Sequence, residues 1–448
     1  MPPSSLDTPA PHRRSVSQQE LDGLAREHAL FLQRKGGSRA RLRLHDLSHL
    51  DLSGRDFRDA DLSGARLYGA RLVGALLTGT NLYGADLRLS NLSNAELTGA
   101  DLRGACLRGA VLTGATMIDT DLRDGVIVTP GNDGELKPIS FDINITELTC
   151  AKVNNANLTR AKLANAFVMQ TDLTDSILRD AKLIRTNLSN SDLTGCILEG
   201  ADLTEANLSG AVLSGADLSG AKVYRTNLSN ADLIGAIYDS GAISGADTTN
   251  ARVSKAFESL RRPLDDILRS HATWVASNGK EGERADLSEV NLTSCDLSGR
   301  NLAAAILRSV SLGKASLRRA ALAMADLSMA DLRGADLAGA DLRGANLQRA
   351  SLAGADLRRA RLAPVEIAGP TAFVWQANLT RARMNGANLA EADLTDAQLQ
   401  GASLTNADLR RANLCGANLQ GVDFTGARLD DCRFDDADLS SAVGFRRA

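Results

Sequence analysis

Hydrophobic and polar positions recur along most of this chain with a period of five residues. The apolar central residue of each repeat, called position i below, falls on Leu42, Leu47 and Leu52 and then on every fifth residue to Leu122. A small residue usually stands at i−2, an Asp or Asn often stands at i−1, and a Gly often stands at i+2. A period of five fits neither a helix, with about 3.6 residues per turn, nor a strand, whose side chains alternate.

The period instead predicts that each repeat forms one short side of a coil. Within a short extended side, positions i and i−2 point the same way, so both are expected to face inward while i−1 faces water. Positions i+1 and i+2 are then expected at the corner, and four sides complete one coil. Stacked coils would pair their backbones at the strand spacing of about 4.8 Å. The repeat occupies four tracts, at 42–122, 148–253, 287–362 and 379–439.

The stretch LSGADLSGAK at 213–222 shows the repeat in its most regular form. It resembles the pentapeptide-repeat family, whose pattern is A(D/N)LXX, and the resemblance covers most of the chain. It implies a right-handed quadrilateral β-helix. The expected fold class is therefore an all-β solenoid in two segments, each preceded by a short capping α-helix. His45, Leu50 and Arg55 depart from the small residue at i−2 and predict a ragged first coil.

Two segments outside the repeats have helical spacing instead. Residues 17–34 open with a capping box of Ser17 and Glu20, and residues 264–277 follow Pro263, which a first helical turn tolerates. Their apolar stripes have matching offsets and contain Leu21, Leu24, His28 and Phe31 in the first segment, and Leu264, Ile267, His271 and Trp274 in the second. Because a solenoid end exposes unpaired strand edges, each helix is expected to cap the coils that follow. Both histidines are expected to pack and to bond the first coil rather than to act as ligands or bases.

These features predict a duplicated organisation. The expected parts are a disordered leader at 1–16, a capping helix at 17–36, a first solenoid at 37–252 with a projecting loop at 123–145, a linker and second capping helix at 253–284, and a second solenoid at 285–448 with a projecting loop at 363–376.

Three places are candidate contact surfaces. The first loop contains Val126 and Val128, and the second contains Phe373 and Trp375. The aromatic loop is either a plug over a coil edge or a partner contact, and the sequence leaves both interpretations open. A third candidate is the last coil, with its apolar residues Phe434, Val443 and Phe445. No capping helix is apparent there, so an association surface is expected at this end.

Composition excludes several classes of function. The formal net charge is −3, with 51 basic and 54 acidic residues, which does not favour direct nucleic-acid binding. Arg pairs such as Arg318–Arg319 and Arg410–Arg411 interleave with Asp, which favours a solvated mixed-charge face. The 6 cysteines form no CxxC pair, and no apolar run is long enough for a membrane span. A reducing, cytoplasmic location is expected.

Candidate chemistry is weak throughout. His45, Asp46 and His49 lie close in sequence, but the two histidines fall at i−2 and i+2 and are expected on different faces, which disfavours a metal site. Cys196, Cys295 and Cys432 fall at i−2, where a small buried side chain is wanted. No catalytic constellation is recognisable, and no cofactor is expected.

The favoured function is a non-catalytic protein-interaction scaffold with an unidentified protein partner. The alternative comes from the resemblance, since some family members mimic duplex DNA and protect type II topoisomerases such as gyrase. The near-neutral charge and the Arg-rich columns weaken that alternative. Self-association through the last coil is expected in either case.

Overall fold

The central residues of the repeats form one continuous interior in each part of the chain. The computed structural model describes residues 13–125, 128–130, 136–138, 145–239, 241–257, 260–367 and 373–445. Leu62 at position i and Ala60 at i−2 are both 0% exposed, and the same holds for most of their counterparts. The predicted inward direction of these two positions is therefore confirmed.

Successive coils pair in parallel at a spacing of 20 residues, as in the bridges Asp61 with Asn81 and Asn81 with Asp101. Four five-residue repeats thus make one coil, and the stack is a β-helix solenoid. Two interruptions lengthen single coils without breaking the stack. Across the first, Cys106 pairs with Glu147, and across the second, Asn346 pairs with Asn378. The repeat resumes its alignment after each interruption.

Each corner is a β-turn. The N–H of Ala65 donates to the carbonyl oxygen of Leu62 at 3.0 Å, and Gly64 between them has φ +63°. A positive φ at the third residue of a turn favours glycine, which explains its frequency at i+2. Asn and Asp, which tolerate the left-handed region better than other residues, occupy the same position elsewhere, for example Asp59 with φ +58°.

The Asp and Asn side chains at i−1 differ from the sequence prediction that they simply face water. Many are half-buried, and they accept hydrogen bonds from the following corner. Asp61 Oδ1 accepts from the backbone N–H of Ser63 at 3.1 Å and from its hydroxyl at 2.7 Å. Asp217 accepts equivalent bonds from Ser219 at 3.0 and 2.6 Å. These side chains therefore fix the turn locally.

Apart from the single-residue bridges between coils, regular elements are few. In chain order the structure describes β1 (Arg14–Ser15), α1 (Gln18–Leu32), β2 (His45–Asp46), β3 (Val128–Pro130), β4 (Leu136–Pro138), a 3₁₀ helix (Ala242–Gly245), α2 (Leu264–Ala276), β5 (Val365–Ile367) and β6 (Phe373–Trp375). Strands β3 and β4 form one antiparallel hairpin, and β5 and β6 form another. In the part of the chain described here, no helix is long and apolar enough to cross a bilayer.

The chain divides into two compact units. Unit 1 comprises Met1–Asp232 and Tyr238–Ala251, and unit 2 comprises Leu233–Ile237 and Arg252–Ala448.

Three details differ from the sequence expectations. Arg14 and Ser15 were expected in a disordered leader, but they form β1, which pairs in parallel with β2 in the first coil. The second tract does not stay regular to Val253, because the 3₁₀ helix interrupts it and the Val253 side chain is 43% exposed. Phe31 was expected within the buried stripe of its helix, but 41% of it is exposed.

Candidate interaction surfaces

Helix α1 is joined to the first coil by a buried histidine. Ser17 caps the helix by accepting from the N–H of Glu20 at 3.2 Å, as the capping box predicts. His28 is 0% exposed. Its Nδ1 accepts from the backbone N–H of Ala40 at 3.1 Å, and its Nε2 lies 2.9 Å from the carbonyl oxygen of Arg58. Because Nδ1 accepts, Nε2 carries the proton of the neutral ring and donates to Arg58.

These two bonds replace those that a preceding repeat would make. In a regular repeat the N–H at i−2 donates to the carbonyl of the previous central residue, as Ala65 does to Leu62. The carbonyl at i+1 accepts from the i+2 N–H of the coil before, as Tyr83 does from Gly64 at 2.7 Å. No repeat precedes Ala40 and no coil precedes the one that contains Arg58, so the imidazole supplies the missing acceptor and the missing donor.

Helix α2 repeats the arrangement in unit 2. His271 is 0% exposed, and its Nδ1 accepts from the N–H of Ala285 at 3.1 Å. Its Nε2 makes no hydrogen bond of normal geometry among the described residues, although the ring also interacts with the backbone of Ala303, the counterpart of Arg58. Burial lowers the pKa of His271 below its ordinary value, and the nearby positive charge of Arg284 acts in the same direction.

Two further contacts recur in both modules. In the first, Arg55 pairs with Asp22 at 2.7 Å; in the second, Arg300 pairs with Asp265 at 2.9 Å. Arg39 Nε donates to a carbonyl of the next coil at 2.5 Å, and Arg284 does the same at 2.5 Å.

The turn after each helix also contains an equivalent glycine. A Cβ on Gly37 would lie 2.2 Å from the carbonyl oxygen of Glu27, and one on Gly282 would lie 2.2 Å from that of Ser270. Gly37 and Gly282 both have a φ of +77°. The neighbouring Gly36 also has a positive φ, of +88°. Only glycine therefore lets the turn pass this close to the helix.

The remaining residues of the two predicted stripes are less deeply placed. Leu21 is 0% exposed. Leu24, Leu264, Ile267 and Trp274 are half-buried. The Trp274 ring stacks on His271 at 5.7 Å between centroids, whereas Phe31 stacks on His28 at 5.9 Å from an exposed position. Leu268, which the helical spacing also places in the second stripe, is buried, with 4% exposed.

The charged columns of the coils are paired. Arg358 contacts Asp356 at 2.6 Å, and Arg410 contacts Asp408 at 2.6 Å, each within one repeat. Hydrogen bonding to these arginines outweighs the opposing effect of partial burial and holds the pKa of both carboxyl groups below its usual value. Arg359 pairs with Glu391 of the next coil at 2.8 Å. The Arg-rich columns are therefore a mixed-charge surface.

The predicted loops are hairpins where the structure describes them. Val126 lies outside the described residues, Val128 lies in β3, and Phe373 lies in β6. Trp375 at the end of β6 is 45% exposed, and its Cδ1 lies 2.9 Å from where a Cβ on Gly344 would be. The hairpin thus rests against a coil at Gly344 and leaves nearly half of the indole exposed.

The last coil has a partly open interior. Phe434 and Phe445 are half-buried, and Val443 is 57% exposed. The rings of Phe424, Phe434 and Phe445 form a cluster, with 5.2 Å between the centroids of Phe434 and Phe445. In the preceding coils of unit 2, by contrast, the side chains at position i are fully buried.

Metal and thiol chemistry finds little support. Within the described residues there is no group of three or more His, Cys, Asp or Glu side chains that could hold a metal ion. The His45 Nδ1 lies 2.8 Å from the carbonyl oxygen of Arg43, and His49 stands edge-on to the Tyr68 ring at 5.6 Å. All 6 cysteines are free, and of the three expected to be buried at i−2 only Cys196 is buried, whereas Cys295 and Cys432 are half-buried because they lie in coils near an end of the stack. Burial raises the pKa of the Cys432 thiol to about 11.

Three solved structures are similar to parts of the chain. HetL, a pentapeptide repeat protein involved in heterocyst differentiation regulation from the cyanobacterium Nostoc sp., is 28% identical, with 51% of this chain and 94% of that chain covered and a TM-score of 0.26. Full-length QnrB1, a plasmid-mediated fluoroquinolone resistance protein, is 18% identical, with 48% and 88% covered and a TM-score of 0.31. A pentapeptide repeat protein from the Arabidopsis thaliana thylakoid lumen is 29% identical, with 24% and 69% covered and a TM-score of 0.14. With TM-scores this low, none of the three bears on the function of this chain.

Sequence comparison gives the family directly. No curated protein sequence matches the chain significantly. The family model for pentapeptide repeats matches residues 40–79, 56–94, 70–109, 90–125, 154–190, 186–223, 211–237, 285–322, 325–362, 376–411 and 407–443. These ranges span well over half of the chain and coincide with the coils described above. The chain therefore belongs to the pentapeptide-repeat family.

Proposed function

We propose that the chain is a non-catalytic protein-interaction scaffold. The observation that carries this proposal is that the polar side chains of the repeats form hydrogen bonds within the repeats themselves. The carboxylates and hydroxyls that hydrolytic or transfer chemistry needs are engaged in repeated turn bonds, such as those from Ser63 to Asp61 and from Ser219 to Asp217. A rigid stack that commits its reactive groups to its own backbone suits binding better than catalysis.

We further propose that both units are right-handed quadrilateral β-helices and that α1 and α2 are their caps. The bonds that the Ala40 and Ala285 N–H groups donate to His28 and His271 support the capping role, because they satisfy backbone groups that the first coil of each stack leaves open. The expected boundaries, with solenoids at 37–252 and 285–448, belong to the same proposal. The free cysteines suit a reducing compartment, which supports a cytoplasmic location.

The DNA-mimic alternative receives less support. A mimic of duplex DNA needs unpaired negative charge along its surface. Here Asp356 and Asp408 are neutralised by the arginine two residues on, and Glu391 is paired with Arg359. Direct binding of nucleic acid is not expected either, since the same pairs neutralise the arginines.

We also propose that two copies associate through their last coils. The exposed Val443 and the half-buried Phe434 and Phe445 form an apolar end on which a second copy would bury both the rings and the strand edge. Sedimentation should show a dimer at micromolar concentration, and Phe434→Ser with Val443→Ser should shift it to monomer. A monomeric parent protein would exclude this association.

The scaffold is tested by capture and reconstitution. The full chain is used to capture proteins from its native host, and an enriched protein is then purified and titrated against the chain by calorimetry. Saturable binding, with cross-links confined to one coil face or one hairpin, is expected. Equal binding by a chain that carries both Leu218→Asp in unit 1 and Leu347→Asp in unit 2, each of which places a charge in the buried interior, would contradict a structured interface. A parallel assay of DNA gyrase supercoiling tests the DNA-mimic alternative. That alternative requires the chain to inhibit gyrase or to protect it from a quinolone, and we expect neither effect.

A further inference from the structure

One face of unit 2 differs chemically from the other faces of the same coils. Its i−1 residues pair in parallel from coil to coil, and its i+1 residues run beside them. Over four successive coils every one of these residues has an amide or hydroxyl side chain: Asn346 and Gln348, Asn378 and Thr380, Gln398 and Gln400, Asn418 and Gln420. The opposite face of the same coils, two repeats further along the chain, presents the charged pairs of Asp356 with Arg358 and Asp408 with Arg410. This uncharged strip is called the amide face below.

The side chains of the amide face are linked to one another. Gln398 Nε2 donates to Gln376 Oε1 at 2.8 Å, and Gln400 Nε2 donates to Gln398 Oε1 at 3.0 Å. The Thr380 hydroxyl donates to Gln400 Oε1 at 3.2 Å. Each amide has two N–H donors and two acceptor lone pairs, so the network orients these groups and leaves further donors and acceptors for a ligand.

Trp375 stands at the edge of this face. It borders a cleft of about 360 Å³ that is also lined by Val374, Gln376 and residues of the amide face. None of the residues lining the cleft is charged. Trp375 is 45% exposed, and its contact with Gly344 leaves no room for a side chain at position 344. The cleft therefore combines a positioned aromatic ring with a row of neutral hydrogen-bonding groups.

From this juxtaposition of Trp375 with the amide face we infer a binding site for a neutral saccharide chain. A sugar ring has a face of C–H groups and a rim of hydroxyls. The C–H face packs on the electron-rich face of an indole, while neighbouring hydroxyls both donate to and accept from amides. The lining offers no counter-charge for an ionic ligand, which would lose its hydration without compensation. Coils repeat about every 4.8 Å, so an extended chain of sugar rings would meet successive amide pairs.

This inference rests on the proposed binding function and names a ligand class for the surface beside the β5–β6 hairpin. Its test needs no protein partner. The chain has 2 tryptophans, so Trp274→Phe in the full chain leaves Trp375 as the only indole reporter. Cellohexaose, maltohexaose and laminarihexaose are each titrated into this variant while the fluorescence of Trp375 is followed. At least one should bind saturably and shift the emission of Trp375. Binding of a protein partner is measured separately, so the two proposals can fail independently.

Variants then locate the site by calorimetry. Trp375→Ala should weaken binding of the responsive hexasaccharide by roughly tenfold. Gln398→Ala with Gln400→Ala should weaken it by a similar factor. Asn413→Ala is the matched control: it removes a half-buried amide from another face, where its Nδ2 donates to Thr395 at 2.8 Å, and it should leave affinity unchanged.

Three results would overturn the inference. The first is the absence of binding by every neutral hexasaccharide at millimolar concentration. The second is undiminished binding by Trp375→Ala, which would place the sugar elsewhere. The third is tighter binding of a hexaproline peptide than of any sugar, lost in Trp375→Ala, which would reassign the cleft to an extended apolar peptide.

Discussion

Replacing His28 by Ala should release helix α1 from the first coil. The substitution removes the acceptor for the Ala40 N–H and the donor to the Arg58 carbonyl, both on the buried side of the helix. It also removes a ring that stacks 6.0 Å from Phe57. The defect should be local, because the inner coils keep all of their own bonds.

The magnitude follows from these three losses. Each unpaired buried backbone group costs about 1–3 kcal/mol. Truncation of a buried aromatic ring costs about 3–5 kcal/mol when the site cannot collapse. Detachment of the helix limits the total, because solvent then reaches the exposed groups. We therefore expect the local opening free energy to fall by about 3–5 kcal/mol. His271→Ala should cost somewhat less, because the interaction of its ring with the Ala303 backbone is weaker than the bond that His28 donates to Arg58.

Hydrogen exchange measured by mass spectrometry on the full chain separates local from global effects. In His28→Ala the amides of residues 36–44 should exchange at least about a hundredfold faster, while those of the inner coils keep their protection. His45→Ala is the control, because its ring bonds only a carbonyl two residues away. Unchanged exchange at residues 36–44 in His28→Ala would refute the role assigned to the imidazole.

Three further predictions concern the core, pH and thiol reactivity. Leu218→Asp should unfold the surrounding coils, since Leu218 is 1% exposed, whereas Asp217→Ala should cost only about 1 kcal/mol in chemical denaturation for the lost turn bonds. The lowered pKa of His271 means that the unfolded state takes up its proton first, so the stability of unit 2 should fall as the pH drops below about 6.5 and this fall should be smaller in His271→Gln. Iodoacetamide at pH 8 should label the exposed Cys150 well before Cys432, whose pKa is raised to about 11, and equal rates would contradict the burial of Cys432.

The five-residue period was enough to predict the direction of the interior. Leu62 and Ala60 are buried because only positions i and i−2 share a face within a short extended side, and this is a property of the chain that sequence spacing reports. The continuation of the stack across the interruptions was also predictable, because the five-residue repeat resumes after each one. The pairing of Asn346 with Asn378 agrees with that continuation.

Hydrogen bonding within the repeat was not predictable from the period. Asp61 was expected to face water, but its carboxylate accepts a hydrogen bond from the backbone N–H of Ser63 at the corner, and this bond holds the side chain against the turn. Polar residues at i−2 follow a related rule, since the Thr186 hydroxyl donates to the Leu163 carbonyl at 2.8 Å and Cys196 Sγ lies 2.9 Å from the Leu173 carbonyl. Spacing gives the face of a residue, whereas these contacts depend on turn geometry that the spacing does not contain.

The exposure of Phe31 shows a related limit. Helical periodicity placed it in the apolar stripe, but a stripe is wider than the surface that the first coil offers, so its last aromatic residue stays 41% exposed. The amide face could not be predicted from the sequence for a different reason. Its members are 20 residues apart along most of the strip and 32 apart across the second interruption, and they become neighbours only when the coils stack.

The two helix modules explain why histidine occurs at both starts. The first coil of a stack has an N–H at i−2 that needs an acceptor and a carbonyl at i+1 that needs a donor, and no preceding repeat supplies either. A neutral imidazole is the side chain that carries one acceptor and one donor on opposite sides of a rigid ring. His28 makes both bonds, and His271 makes the first at the same distance of 3.1 Å. The aromatic neighbour differs between the modules, being Phe31 in one and Trp274 in the other, so ring packing leaves more freedom than the backbone bonds do. A solenoid of this kind can begin wherever a helix presents such a group, which accounts for a second start in the middle of the chain.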